Sequence, residues 1–169
     1  SIKIGGDFQG HGPLEKAHTV TVAHGAVIDV SATRQGHGGE AIIFANDTTD
    51  FNGTIHANAA GNQGNGGLVE TSGKHILKLD HAVVQAIGSQ GGNAGSWLLD
   101  PADITITAAT NANVTGVTPF AATATASQLS AATIVAALNG GTNVTVQTTN
   151  DGFAGNGDIF VNSAITTSG

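Results

Sequence analysis

Three consecutive stretches decide the fold: "GAVIDVSATRQGHGGEAIIF" (residues 25–44), "GTIHANAAGNQGNGGLVETS" (53–72) and "HAVVQAIGSQGGNAGSWLLD" (81–100). They align without a gap at an interval of 28 residues. In that register Val27, Ile55 and Val83 share a column, as do Gly36, Gly64 and Gly92, then Gly39, Gly67 and Gly95, then Ala41, Val69 and Trp97. Each unit holds short β-branched runs separated by glycine-rich corners, the pattern of strand, corner, strand. Such a unit cannot bury its own apolar side, but stacked copies share a continuous interior. The expected fold is therefore all-β, a parallel β-solenoid of about 28-residue coils, each advancing the stack by about 4.8 Å.

This register assigns roles to side chains. Val27, Ile55 and Val83 read as an interior ladder, and the six aligned glycines as residues that allow corners with positive φ. Trp97 reads as a large core residue or as a plug where the regular stack changes shape. His24, Asn52 and Asp80 fall in one column and read as a side-chain hydrogen-bond ladder. "QGHG" at 9–12 recurs at 35–38, an offset of 26, so the first unit is expected to be two residues shorter than the rest. About four related units precede Pro101.

The whole chain, 1–169, reads as one solenoid domain: regular coils over 1–106, a loop excursion over 107–126, a short helix over 127–139 and further coil strands over 142–169. Ser127 or Ser130 can cap the helix, Leu129, Ile134, Val135 and Leu138 give it an apolar side, and Gly140 can end it. It is expected on the flank of the solenoid. No obvious cap closes the last strand-like segment. Bare solenoid ends expose unpaired edges, so either more coils of a longer parent chain or end-to-end stacking of copies is expected.

Composition narrows the function. The 169 residues include 25 Gly, only 10% charged and 4% aromatic residues, and no Cys, Met or Tyr. The net charge is −7, and the fixed cations are Lys3, Lys16, Lys74, Lys78 and Arg34. That leaves no basic patch to neutralise a phosphate backbone, so nucleic acid is excluded as an expected partner. No apolar run reaches the roughly 20 residues of a membrane-spanning helix, and no basic-then-apolar leader opens the chain. It reads as a soluble, mature or excised segment. Absence of cysteine is neutral on compartment.

Sites were sought for three chemistries. Gly-His-Gly occurs at His11 and His37 and resembles one element of the pectin-hydrolase signature, whose other elements are absent. Glycoside hydrolysis needs two positioned carboxylates; the candidate pairs, Asp47 with Asp50 and Asp100 with Asp103, read as solvated corner residues. A lyase needs a base and clustered acids for calcium, yet no acidic cluster surrounds Arg34, the only arginine. Seven histidines, at 11, 18, 24, 37, 56, 75 and 81, show no zinc-binding spacing. Through the "QGHG" echo, His11 and His37 could stack on adjacent coils and share an ion; the competing reading makes them polar corners. "AGNGDIF" (154–160), around Asp158, resembles a calcium-binding nonapeptide turn, which works in tandem and occurs here once. No catalytic, cofactor or metal residue is assigned. Asn46, Asn52, Asn113 and Asn143 head N-x-T sequons and are candidate glycosylation sites, a motif that an Asn- and Thr-rich chain also produces by chance.

"IGGDFQGHG" (4–12), "GAVIDVSA" (25–32), "GHGGEAIIFAND" (36–47), "GNGGLVETSGK" (64–74) and "GSWLLDPADITI" (95–106) follow one another as in the filamentous-haemagglutinin-like exoproteins of Gram-negative two-partner secretion systems, which the chain resembles. The resemblance covers 4–106 and, more loosely, the helix with "GTNVTVQTTNDGFAGNGDIFVNSAI" (141–165). It implies a right-handed parallel β-helix in a secreted or surface-held fibre mediating adhesion, biofilm cohesion or cell contact. It implies no catalytic set. The segment resembles the internal shaft, without the amino-terminal secretion domain that addresses the outer-membrane transporter. Expected partners are further copies or neighbouring coils of a longer parent chain, a glycan or cell-surface receptor, and the transporter itself. The alternative is a β-helix hydrolase or lyase acting on polysaccharide, because fold does not fix function.

Overall fold

Valine, isoleucine and threonine runs of three to six residues are too short to make stable hairpins alone, and here they pair across coils instead. The computed structural model describes residues 1–108, 127–149 and 156–168. In chain order the strands are β1 (Ile2–Ile4), β2 (Thr19–Val22), β3 (Val27–Asp29), β4 (Glu40–Ala45), β5 (Thr48–Phe51), β6 (Thr54–His56), β7 (Leu68–Gly73), β8 (Ile76–Lys78), β9 (Val83–Gln85), β10 (Ser96–Leu99), β11 (Ile104–Thr107), β12 (Ser127–Ser130), β13 (Asn143–Val146) and β14 (Ile159–Val161). One helix, α1 (Ala131–Asn139), lies between β12 and β13. The strands form three all-parallel sheets: β1-β4-β7-β10-β13, β14-β11-β12-β8-β5-β2 and β3-β6-β9. The fold is a parallel β-helix.

The first sheet keeps the 28-residue interval: Glu40 pairs with Leu68, and Leu68 with Ser96. The third sheet does not. Ile28 pairs with Ile55 and Ile55 with Val84, so the inward column is Ile28, Ile55 and Val84. Val27 and Val83 flank Thr54 on the outward face and are 63% and 47% exposed. The expected ladder of Val27, Ile55 and Val83 is thus corrected by one residue on either side of Ile55. The cause is corner length: four residues join β2 to β3 and β8 to β9, but only Asn52 and Gly53 join β5 to β6. A one-residue shift in a strand moves every side chain to the opposite face.

The aligned glycines are required for a different reason from the one expected. Of the six, only Gly36 has positive φ. A Cβ on Gly64 would run into the Gly36 carbonyl oxygen, on Gly67 into that of Gly39, on Gly92 into that of Gly64, and on Gly95 into that of Gly67. Close backbone stacking of one coil on the next excludes side chains at these columns.

The first unit is longer than the others, not shorter. Ile2 pairs with Ala41, 39 residues on, because residues 5–17 leave the coil as a strap. The strap carries a 3-10 turn at Phe8–Gly10 and lies against β4 and β7, with the Phe44 ring packed under Gly6 and Gly10. The two "QGHG" segments are therefore not structural equivalents: one lies on the strap, the other at a corner.

At the other end the stack changes shape. β12, though later in sequence, sits between β8 and β11. The chain thus leaves β10 at Asp100–Pro101, forms β11 one level up, and returns to fill the gap. Ser127–Ser130 is strand rather than helix, and Ser127 Oγ accepts the Leu77 N–H at 2.8 Å, extending the pairing with β8. Helix α1 starts at Ala131, where the Ser130 side chain caps the Ala132 N–H, and Gly140 ends it. α1 contacts β9, β12 and β13, burying Ile134 and Ala137 against the core. Most of the expected 107–126 excursion, residues 109–126, lies outside the described residues. Trp97 stacks on Val69 and under Val144 at this level, fully buried, and its indole N–H donates to Thr71 Oγ1 at 2.9 Å.

Candidate functional site

Four features hold the molecule's chemistry. The first is the terminal coil. Ile159 and Val161 pair with Ile104 and Ile106, which are buried, yet are themselves 44% and 59% exposed. They continue an interior column past its last covered layer. At the opposite end β1, β2 and β3 are the edge strands, with Val20 and Val22 buried and Ile2 and Val27 exposed.

The second is an open groove of about 560 Å³ along the corner that precedes the first sheet. Gly38, Gly39, Gly66, Gly67 and Gly95 form its floor, and stacked His37, Asn65 and Asn93 line one side. Asn65 N–H donates to His37 Nδ1 at 2.8 Å, and Asn93 N–H to Asn65 Oδ1 at 2.9 Å. The His37 and Asn65 side chains thereby each satisfy a backbone donor of the next coil.

The third is a buried polar cluster under the strap. Ile42, Glu70 and Leu98 form one outward column of the first sheet, so Glu70 is a carboxyl between two apolar neighbours. It is fully buried. Gln9, at φ 52°, donates its N–H to Glu70 Oε2 at 2.9 Å and its side-chain amide to Asp100 Oδ2 at 3.2 Å. Asp100 also accepts from Gln147 Nε2 at 2.7 Å and from Thr149 Oγ1 at 2.9 Å. Glu70 Oε1 and Ser72 Oγ are buried without a hydrogen-bond partner. Burial pushes the Glu70 carboxyl up to about 7, against the opposing pull of the Gln9 N–H and Ser72, with Asp100 and Glu40 adding to the rise. The strap is further tied by Lys3 Nζ to Asp7 Oδ1 at 2.6 Å and by Leu14 N–H to Asp7 Oδ2 at 3.0 Å. The Lys3 contact holds the Asp7 carboxyl below its usual range.

The fourth comprises the corners of the second sheet. Because the middle corner is short, His24 and His81, from the coils on either side, meet edge to face at 4.9 Å. Asn52 donates to Asp50 Oδ1 rather than laddering with them, and burial raises Asp80. At the other corner, hydrogen bonds from Thr48 and His75 hold Asp47 down.

The remaining candidates are dispersed. His11 lines a small cavity with Gln9, Lys74, Asp100 and Thr149, whereas His37 lines the glycine groove, so they do not stack. Asp47 sits at the corner before β5, whereas Asp50 is inside that strand. Asp100 is buried beneath the strap, and Asp103 Oδ1 accepts the N–H groups of Asn156, Gly157 and Asp158 at 2.9–3.1 Å. Residues 154 and 155 of the segment that resembles a calcium loop lie outside the described residues, and the backbone donors of Asn156, Gly157 and Asp158 face a carboxylate. Among the described residues no three His, Asp or Glu side chains converge as metal ligands. Asn143 is exposed on β13, Asn46 and Asn52 are half-buried, and Asn113 lies outside the described residues. Glu70, Gln9 and Ser72 escaped sequence reading. Their only trace is a glutamate in the column of Ile42, which becomes informative once the strap is known to cover it. Compared with protein-family models and with curated proteins, the chain matches none.

Proposed function

We propose that this chain is a rigid shaft segment of a secreted, cell-surface bacterial adhesin or extracellular fibre, serving adhesion or biofilm cohesion. The observation that carries the reading is the terminal coil, whose inward-facing Ile159 and Val161 lack a covering layer among the described residues. Exposed parallel edges with apolar columns invite another coil. In this reading the coil comes from a neighbouring segment of a longer chain or from a second copy stacked end to end. Glycans or cell-surface receptors meet the side of the rod through repeated weak contacts, and export uses the outer-membrane transporter that the sequence resemblance implies. Nucleic acid has no place in it.

Electron microscopy of the purified chain tests the reading. Long unbranched fibres whose formation is abolished by Val161→Lys establish end-to-end stacking; discrete rods assign the segment to a longer shaft. The competing reading, a β-helix enzyme acting on polysaccharide, requires turnover of acidic polysaccharides by the same preparation, and such turnover would replace the shaft proposal.

A further inference from the structure

The strap over the first sheet is fastened at one buried point. Gln9 holds it through two bonds, to Glu70 and to Asp100, and its glycines Gly6 and Gly10 rest on the Phe44 ring. Glu70 has one oxygen satisfied by the Gln9 N–H and the other unpartnered, while Ser72 Oγ, two residues along the same face of β7, is equally unpartnered. A proton on Glu70 resolves both, because the carboxylic O–H can donate to the Ser72 hydroxyl. Ionisation leaves a fully buried charge whose donors among the described residues are the Gln9 N–H and the Ser72 hydroxyl, with no cation beside it. We propose that residues 5–17 form a proton-controlled strap, latched through Gln9 while Glu70 is protonated and released when it ionises.

The groups facing Glu70 divide in sign, and burial decides between them. Asp100, at the end of β10, and Glu40, on β4, are carboxylates that oppose its ionisation. From β7 comes Ser72, and from the strap the Gln9 N–H; these favour ionisation and are outweighed by burial. Lys74 and His11 lie on the far side of Gln9, around a cavity of about 30 Å³ that Asp100 and Thr149 also line. That is room for one water. Among the described residues the ion pair at the strap, Lys3 with Asp7, is at its solvent edge and does not reach Glu70. A buried charge without a partner gains most by meeting water, and lifting the strap is the route to it. The state so exposed presents Ile42, Phe44 and Leu98 to solvent.

Hydrogen exchange read by mass spectrometry on the whole chain, expressed as protection factors from pH 5 to 9, measures the latch. With the carboxyl at about 7 when latched and at its ordinary value of 4.5 when open, the open population rises about 75-fold across that range. Protection over residues 9–17 falls by that factor while β4, β7 and β10 hold theirs. Glu70→Gln, which cannot ionise, keeps the strap protected throughout. Glu70→Leu, matching Ile42 and Leu98 in its column, gives the same pH-independent result where the glutamine variant does not fold. Strap protection that is flat with pH in the native chain, or a fall that survives either substitution, overturns the proposal.

Discussion

Replacing Gly67 by alanine separates two reasons for a conserved-looking corner glycine, backbone conformation and backbone proximity. Gly67 has no positive φ, but its Cβ would meet the Gly39 carbonyl oxygen and the Ala57 side chain, both rigid parts of the wall. The coils must part locally to admit it. Overpacking of this kind costs about 1–3 kcal/mol, and a larger side chain costs more. Gly91 is the opposite case: φ is 77°, and the nearest atom to a Cβ is Gln63 Cγ at 3.5 Å. There an alanine suffers only left-handed strain, about 1–2 kcal/mol, and asparagine, which tolerates that conformation, suffers less. The order of substitution therefore reverses: alanine is better than asparagine at 67, asparagine better than alanine at 91. Urea denaturation of the four variants, followed by far-ultraviolet circular dichroism, measures this. A Gly67→Ala variant within about 0.5 kcal/mol of the parent, a change typical of featureless surface sites, or the same order at both positions, refutes the stacking argument.

Burial raises Glu70 above its unfolded value, so the folded state binds the extra proton and stability is greatest at acid pH, falling as pH rises from about 4.5 to about 7. The loss amounts to about 3 kcal/mol from 2.5 pH units at 1.36 kcal/mol each, and Glu70→Leu removes it; thermal melts at pH 5 and pH 8 of both proteins decide. Trp97→Ala empties a fully enclosed site and costs about 3–5 kcal/mol, whereas Trp97→Phe retains most of the packing and loses the bond to Thr71, about 1 kcal/mol; both are read from denaturation midpoints. The corrected register is checked by Ile55→Thr against Val27→Thr: the first buries an unneeded hydroxyl at a column position and costs about 2 kcal/mol or more, the second changes stability by less than about 0.5 kcal/mol. Equal effects would restore Val27 to the interior.

The sequence was legible wherever the repeat kept its period. Sheet membership, parallel pairing and the glycine columns all follow from the 28-residue interval, because stacked coils force like residues over like residues. What it concealed lies where the period broke. A two-residue corner at Asn52–Gly53 shifted the third sheet by one residue, and alternation in "AVID" and "HAVV" is compatible with either face, since valine and isoleucine occupy adjacent positions there. The glycines were found for the wrong reason: a sequence shows that a side chain is absent, and only the stack shows that a carbonyl oxygen takes its place. Serine caps and apolar spacing suit Ser127–Ser130 to a helix, yet tertiary pairing with β8 and β11 overrides local propensity. Glu70 was invisible because its cover, the strap, belongs to no repeat.

The inverted strand order explains why tryptophan, aspartate and proline fall together. Through β10 each coil places one strand in each sheet, and the interior is filled by aliphatic side chains and Phe51. After Leu99 the chain skips a level in the second sheet, and Pro101, which has no N–H to give, stands at the step where no ladder bond is made. Asp100 turns its carboxylate outward to the strap, and to Gln147 and Thr149 of the coil above, joining three parts of the chain at the point where regular pairing lapses. The third sheet ends at the same level, and α1 replaces its next strand. A helix stands farther off than a strand, since sheets pair at about 4.8 Å and helices pack at about 10 Å from their neighbours. The interior widens there, and Trp97 lies in the widened layer, lining the cleft between α1 and β9 with Ala82, Val84 and Ala137. The motif is thus the chemical signature of a coil being handed from three strands to two strands and a helix.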